Sequence, residues 1–447
     1  MSALFVAAMI AQATTTPTST PNPPATPPVS PPATPPVSQS ASQSASPPAG
    51  LAPEQLARIQ AALQQQKLEG WLFYDFRGSD PIAYRVLGLD PRGIRTRRWY
   101  CFVPARGQPQ KLVHAIEPHA LEGVPGPAAT YASWRVRDRE LGRILRGARR
   151  VAMQYSPRNE IPTVSRVDAG AVELVRAMGP EVVSSAELVA QIGSVLTSEE
   201  LASQAIAAEL LAQAQEATAQ EAARRLRAGQ PATERELGEF ARQRMAEQGL
   251  AEAGAIVAVD AHSADPHSEA QDGIAGRNSL LLLDFTGRLG TGPHAIQGDL
   301  TRVYFLGERV PDEIQRVAAV VFQARDAALD LLRQRWPATR PVTGADVDRA
   351  AREVIERAGF GEQILHRTGH SIDVRVHGDG VNNDDFETRD SRRHLAGTCS
   401  SVEPGIYLGN RFGIRSEVDV CLLEGGRVEV RGGEPQRSVP ALLAPPP

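Results

Sequence analysis

The chain has almost no lysine. Of its 48 basic residues only Lys67 and Lys111 are lysine, so nearly all the positive charge is arginine. The arginines are interspersed with 52 acids for a net charge of −4, which leaves no electrostatic reason to expect nucleic acid or an anionic membrane as partner. No apolar run reaches the ~18 residues of a membrane span. No phosphate-cradling glycine pattern is present: Arg77-Gly78-Ser79-Asp80-Pro81 reads as a plain turn. Cysteine is scarce and odd in number, at Cys101, Cys399 and Cys421.

What remains is the composition of a soluble globular protein, 42% hydrophobic and 22% charged. Residues 1–13 hold a short apolar run, Ala3 to Ile10, followed by Ala11-Gln12-Ala13. That is the pattern of a secretory signal peptide, so export to the periplasm or medium is expected, with a disordered Ala-rich terminus of a cytoplasmic protein as the alternative. No Cys follows it, so no lipid anchor is suggested. Residues 14–50 are Pro, Thr, Ser and Ala, with Pro23–Ser30 repeated at Pro31–Ser38, and should form an extended spacer. Roughly 400 residues are left, enough for two domains.

Residues 51–194 alternate helical and strand signals and predict an α/β layer domain. Its strands are expected at Trp71–Tyr74, Trp99–Val103, Lys111–Ile116, Arg150–Tyr155 and Val182–Val183, its helices at Pro53–Lys67, Arg137–Arg146 and Val167–Met178. His114 and His119 share no ligand spacing and are read as structural. Residues 195–435 predict an α+β domain, followed by a tail, 436–447. Capping boxes at Thr197-x-x-Glu200 and Thr233-x-x-Glu236 start two of its helices, Pro311 a third and Thr343 a fourth.

Chemistry gathers between and after these helices. Leu280-Leu281-Leu282-Leu283 reads as a buried strand ending at Asp284. A Gly/Pro-rich turn follows, and the return strand, Leu300 to Leu306, opens with Asp299. Further on stand His366-Arg367-Thr368-Gly369-His370, then His377, then Glu403 and Glu417 in apolar surroundings expected to be strands. Glu403 and Glu417 each lie seven residues from Asn410, so antiparallel pairing about Gly409-Asn410-Arg411 sets them opposite one another and Cys399 opposite Cys421. Buried carboxylates persist only when paired or holding a cation. Four carboxylates with one imidazole suit two divalent cations: Mn²⁺ first, with Co²⁺, Zn²⁺ or Fe²⁺ as alternatives.

The order Asp284, Asp299-Leu300-Thr301-Arg302, Gly369-His370, Glu403-Pro404-Gly405-Ile406-Tyr407, Gly413-Ile414-Arg415-Ser416-Glu417 resembles that of the pita-bread metallopeptidases, above all aminopeptidase P and prolidase. The resemblance covers about residues 195–430 strongly, and residues 51–190 look like the creatinase-type amino-terminal domain. It implies a curved, mostly antiparallel catalytic sheet. Asp284, Asp299, His370, Glu403 and Glu417 would bind two metals, Asp299 and Glu417 bridging them. By the same resemblance His267 and His377 steady the scissile carbonyl and the developing charge, while His366 and Arg415 stand beside the ligands. The implied reaction is hydrolysis of an amino-terminal peptide bond, most of all Xaa-Pro, by a metal-bridging hydroxide with Glu403 as proton shuttle. A dimer or tetramer is also implied.

The sequence departs from the family where Arg367 and Ser371 replace the small Gly after each histidine, and where the turn between Asp284 and Asp299 is longer. Two other readings stay open, a metal-free creatinase-like C–N hydrolase and a non-catalytic binding module; a methionine aminopeptidase is disfavoured, because an exported two-domain chain would not meet nascent peptides. His262, His294 and His394 are expected to be solvated, although His294 lies inside the metal hairpin. Cys399 and Cys421 are expected as free buried thiols rather than a bridge, since directly opposed strand residues make a strained disulfide.

Overall fold

A computed structural model describes residues 50–269, 272–337 and 341–445; the expected signal segment and nearly all of the Pro-rich spacer lie outside them. The amino-terminal layer is a six-stranded mixed sheet of β1 (Gly70–Asp75), β2 (Trp99–Pro104), β3 (Gln110–His114), β4 (Ala128–Tyr131), β5 (Arg150–Met153) and β6 (Glu181–Ser184), in the order β4-β3-β2-β1-β5-β6. Side chains alternate across a strand, and β1 shows the result. Trp71 and Phe73 pack into a core with α1 (Pro53–Gln65), α2 (Pro81–Val86) and α5 (Ala186–Gly193). Leu72 and Tyr74 pack on the other face against α3 (Trp134–Ile144) and α4 (Ala169–Ala177). Three short elements escape the sequence reading: β4, α5 and α2. Helix α2 begins where a plain turn was expected; Asp80 caps it by accepting the Ala83 N–H at 3.0 Å, with Pro81 in the first turn.

The second layer starts with α6 (Ser198–Arg227), whose capping box joins Thr197 and Glu200. Thr233 with Glu236, and Thr343 with Asp346, likewise start α7 (Glu234–Glu247) and α9 (Gly344–Arg357), while α8 (Asp312–Arg335) follows Pro311. A short pair, β7 (Ala232–Thr233) with β9 (Ile274–Ala275), ties the loop after α6 to the chain before the central hairpin. That hairpin, β10 (Leu280–Leu289) with β11 (Gln297–Phe305), pairs on its other edge with β8 (Leu250–Val259). Leu281, Leu283 and Phe285 meet α6 and α7, whereas Leu280, Leu282 and Val303 meet α8 and α9. Asp284, Asp299 and Thr301 share the latter face by parity. β10 does not end at Asp284, as the leucine run suggested, but continues through Gly287 to Leu289, and β11 begins two residues before Asp299.

A second antiparallel sheet runs β12 (Ser371–Ile372), β13 (Thr398–Val402), β16 (Val418–Leu422), β17 (Val428–Arg431), with a further pair, β14 (Gly405–Tyr407) and β15 (Gly413–Arg415). Cys399 faces Cys421, and Gly405 faces Arg415, so the two pairs keep one register about the turn. Glu403 and Glu417 are not inside strands, contrary to expectation. They sit at a break, where Pro404 has no N–H to give the ladder. The thiol expectation is also corrected: Cys399 and Cys421 are bridged, their Cα atoms 4.1 Å apart. Antiparallel partners that exchange no hydrogen bonds approach this closely, and the pair was within reach of a disulfide for that reason. Cys101 is free and buried. The second domain is thus an α+β fold behind an α/β layer.

Candidate metal centre

The hairpin and the β13–β16 break converge. The ligand atoms of Asp299, His370 and Glu417 all lie within 4.8 Å of one another. His370 Nε2 is 3.3 Å from Asp299 Oδ2 and 3.3 Å from Glu403 Oε1. Asp284 is the exception: its carboxylate turns to the Arg415 guanidinium. The framework around them is built from hydrogen bonds. Ser401 Oγ donates to Glu403 Oε1 at 3.0 Å and accepts the His370 N–H at 3.0 Å. Thr301 Oγ1 donates to Glu417 Oε2 at 2.7 Å, and Arg415 Nε donates to the same hydroxyl at 3.0 Å.

Electrostatically the centre is overloaded with negative charge. Burial first, then Asp284 and Glu403, hold Asp299 well above the usual carboxylate range. Burial and the Asp299 carboxylate do the same to Glu417, and burial raises Asp284 in spite of Arg415. Burial would also raise Glu403, but His370, His366 and Arg415 outweigh it and keep its carboxyl below the ordinary value. Burial lowers His370, leaving a neutral imidazole fit to ligate. Glu417 Oε1 is buried without a hydrogen-bond partner. A buried orphan oxygen amid mutually repelling carboxylates and a neutral imidazole is a donor set that fits divalent cations.

The remaining expected residues flank this group. The His377 ring lies 4.1 Å from that of His370, centroid to centroid, and burial together with His370 and Arg367 lowers it to about 4. His267 is exposed, its N–H donating to Asp265 Oδ1 at 3.0 Å, and Arg415 Nη1 holds the Pro266 carbonyl just before it at 3.3 Å. His366 Nε2 meets the Tyr407 hydroxyl at 2.6 Å, and Arg415 Nη1 donates to the same hydroxyl at 3.2 Å.

Sequence reasoning missed several participants. Thr301 and Tyr407 stood inside the quoted motifs and could have been found there. Asp419 gave the same signal as the glutamates, a carboxylate between Val418 and Val420: it accepts the Asp299 N–H at 3.1 Å and the Gln204 amide at 2.6 Å, and burial pushes it up to about 7. Gln215, buried on α6, donates to the carbonyls of Leu283 and Leu300 at 3.0 and 2.6 Å, clamping the hairpin beside both aspartates. Three histidines expected in solvent have partners. His394 is buried, with Nε2 2.9 Å from Asn383 Oδ1. His262 is half-buried, 2.9 Å from the buried Glu234 carboxylate, and His294 is exposed but 3.2 Å from Glu200.

Fold and site together define a pita-bread protein with a carboxylate–histidine centre. Residues 203–424, just under half of the chain, match metallopeptidase family M24. Among curated relatives, the probable dipeptidase PepE of Mycobacterium tuberculosis is 35% identical over 178 residues, 39% of this chain and 43% of that protein. The Xaa-Pro dipeptidase of Lactobacillus delbrueckii subsp. lactis is 32% identical over 165 residues, 36% of this chain and 40% of its own. These alignments span less than half the length of either relative. Solved structures extend the likeness in fold. Dipeptidase PepE from Mycobacterium ulcerans superposes with a TM-score of 0.64 over 87% of this chain and 97% of its own, at 23% identity. The prolidase from Thermococcus sibiricus gives 0.58 over 87% and 98%, at 18% identity.

Proposed function

We propose that the protein is a dinuclear metallopeptidase that removes an amino-terminal residue from peptides, with Xaa-Pro bonds as its preferred target. The observation that carries this reading is the meeting of Asp299, His370 and Glu417, with Glu403 3.3 Å from His370, where one Glu417 carboxylate oxygen is buried and unpartnered. Asp284, Asp299, His370, Glu403 and Glu417 would hold two divalent cations, Mn²⁺ first among them. When bound, such ions supply Lewis acidity toward a carbonyl and activate water near neutral pH.

This chain's own residues do the rest. Glu403, whose carboxyl is held below the ordinary value, accepts a proton from the attacking water and returns it to the leaving nitrogen as the C–N bond breaks. His377 and His267 hydrogen-bond the carbonyl oxygen as it gains charge. Arg415 holds Asp284, Thr301, Tyr407 and the Pro266 carbonyl together, which fixes one wall of the site. A prolyl nitrogen has no hydrogen to donate, so preference for Xaa-Pro would be a matter of pocket shape. The match of residues 203–424 to metallopeptidase family M24, and relatives named dipeptidase and Xaa-Pro dipeptidase, support the reading. We also infer export, an inference favoured by the Cys399–Cys421 bridge, since disulfides persist in oxidising compartments.

The test is a panel of Xaa-Pro dipeptides and longer Xaa-Pro peptides, assayed with Mn²⁺ and again after chelation. Chelator-sensitive release of the first residue is expected, and the length preference separates dipeptidase from aminopeptidase. Glu403→Ala should keep its fold by circular dichroism yet lose turnover by roughly a hundredfold or more. Near-normal turnover in that variant would sink the proton-shuttle role.

A further inference from the structure

The loop that carries His377 is held from outside its own domain. Asp373 organises it from within. Its Oδ1 accepts the Arg375 N–H at 2.8 Å, and its Oδ2 accepts the Asp379 N–H at 3.3 Å and the Arg375 guanidinium at 3.1 Å. The neck is closed where Gly378 N–H donates to Ser371 O at 2.7 Å and Gln297 N–H donates to Asp373 O at 3.0 Å. The packing there is tight: a Cβ on Gly378 would stand 2.8 Å from Asp373 Oδ2 and 2.9 Å from Ser371 Oγ. The Asp379 carbonyl is fixed by the buried Arg392 at 2.7 Å.

The Asp379 carboxylate, itself buried, pairs with Arg375 at 2.8 Å and also with Arg85. Arg85 belongs to α2 of the amino-terminal layer, the short helix capped by Asp80. Two arginines therefore meet two aspartates in one half-buried cluster. Desolvation and the neighbouring Arg375 lower Arg85 to about 10, still charged at neutral pH. An ion pair out of full solvent resists the screening that makes exposed pairs worth little.

We propose that Arg85 is a positioning residue for His377: by clamping Asp379 it lets the amino-terminal layer set where the loop presents the imidazole over His370. The inference rests on the peptidase reading for its catalytic consequence, but the clamp itself does not. It also gives Asp373 and Ser371, which stand at the departure from the family pattern after His370, a structural role in building this loop.

Arg85→Ala and Arg85→Lys in the full chain, with Asp379→Asn as a second way to break the pair, test it by two readouts. In Arg85→Ala, amide hydrogen exchange across residues 374–380 should accelerate roughly tenfold, the scale of one lost charge-assisted hydrogen bond, with the other segments unchanged. Its kcat on the best peptide should fall roughly tenfold or more with KM and bound metal little changed, and Arg85→Lys should recover part of it. A merely structural clamp would spread the exchange over the amino-terminal layer and leave kcat per folded molecule intact. Unchanged exchange in 374–380, or faster exchange with wild-type kcat, overturns the proposal. If the wild-type protein itself cleaves no peptide, the peptidase reading fails, and the exchange experiment still decides the clamp. Should Arg85→Ala not fold, Asp379→Asn carries the same two readouts.

Discussion

At the scale of single residues, burial resets chemistry that the sequence alone cannot show. His394 follows Ser391-Arg392-Arg393, a polar stretch that reads as solvent-exposed, yet it is buried, and desolvation lowers it to about 4. Its side chain must then be neutral in the folded state while the unfolded chain protonates it near the ordinary imidazole value of 6.5. Between those values the unfolded state binds more protons, so stability falls as pH drops through that window, by on the order of 3 kcal/mol for full separation. Urea unfolding of wild type and His394→Gln between pH 7 and 4 checks this, over limits set by the shift itself. The wild-type advantage should shrink as pH falls, and a constant difference would contradict it. The residues of the centre were legible for the opposite reason. Carboxylates in apolar surroundings are out of place unless something binds them, whereas a polar loop residue gives no sign that it is packed inside.

At the scale of elements, the register of the closing sheet was countable and its interruption was not. A short turn at Gly409-Asn410-Arg411 forces pairing by distance from its middle, which set Cys399 against Cys421 as found. What counting misses is that Pro404 breaks the ladder, and this releases Glu403 and Glu417 from strand geometry at the point where they must converge. The hairpin shows the same limit, since its leucine run suggested a strand end at Asp284, five residues before β10 stops at Leu289. Tertiary pairing with β8 and β11 overrides that local signal. The bridge between β13 and β16 closes a sequence separation of 22 residues that includes both glutamates. Chain entropy then assigns it about 2–4 kcal/mol of stability. Cys399→Ala with Cys421→Ala should lower the unfolding free energy by that amount in denaturant titration. A loss below about 0.5 kcal/mol would mean the ladder holds its register without the bridge.

At the scale of the molecule, the α/β layer was readable from alternating strand and helix signals, but its short α2, and with it the link from Arg85 to Asp379, was not. Six residues starting at a proline carry too little periodicity to reveal a helix. The larger consequence concerns the balance of charge. Asp284, Asp299, Glu403 and Glu417 crowd one face between two sheets, and Arg415 offsets only part of their repulsion. Without cations the fold is destabilised there, and cations bind the folded state alone, so metal should stabilise the whole protein. The gain grows as RT ln(1 + [M]/Kd), about 2.7 kcal/mol at a hundredfold excess over Kd. Melting curves with graded Mn²⁺, and after chelation, should therefore shift upward with the logarithm of metal concentration. Asp299→Asn separates the two terms by sign. It removes one of the repelling carboxylates, so the chelated variant should melt above chelated wild type, and it removes a ligand, so the Mn²⁺-dependent rise should largely vanish. Wild-type melting that is indifferent to Mn²⁺, Co²⁺, Zn²⁺ and Fe²⁺ alike would mean that these carboxylates are balanced by protons, and the metal reading would fall with it.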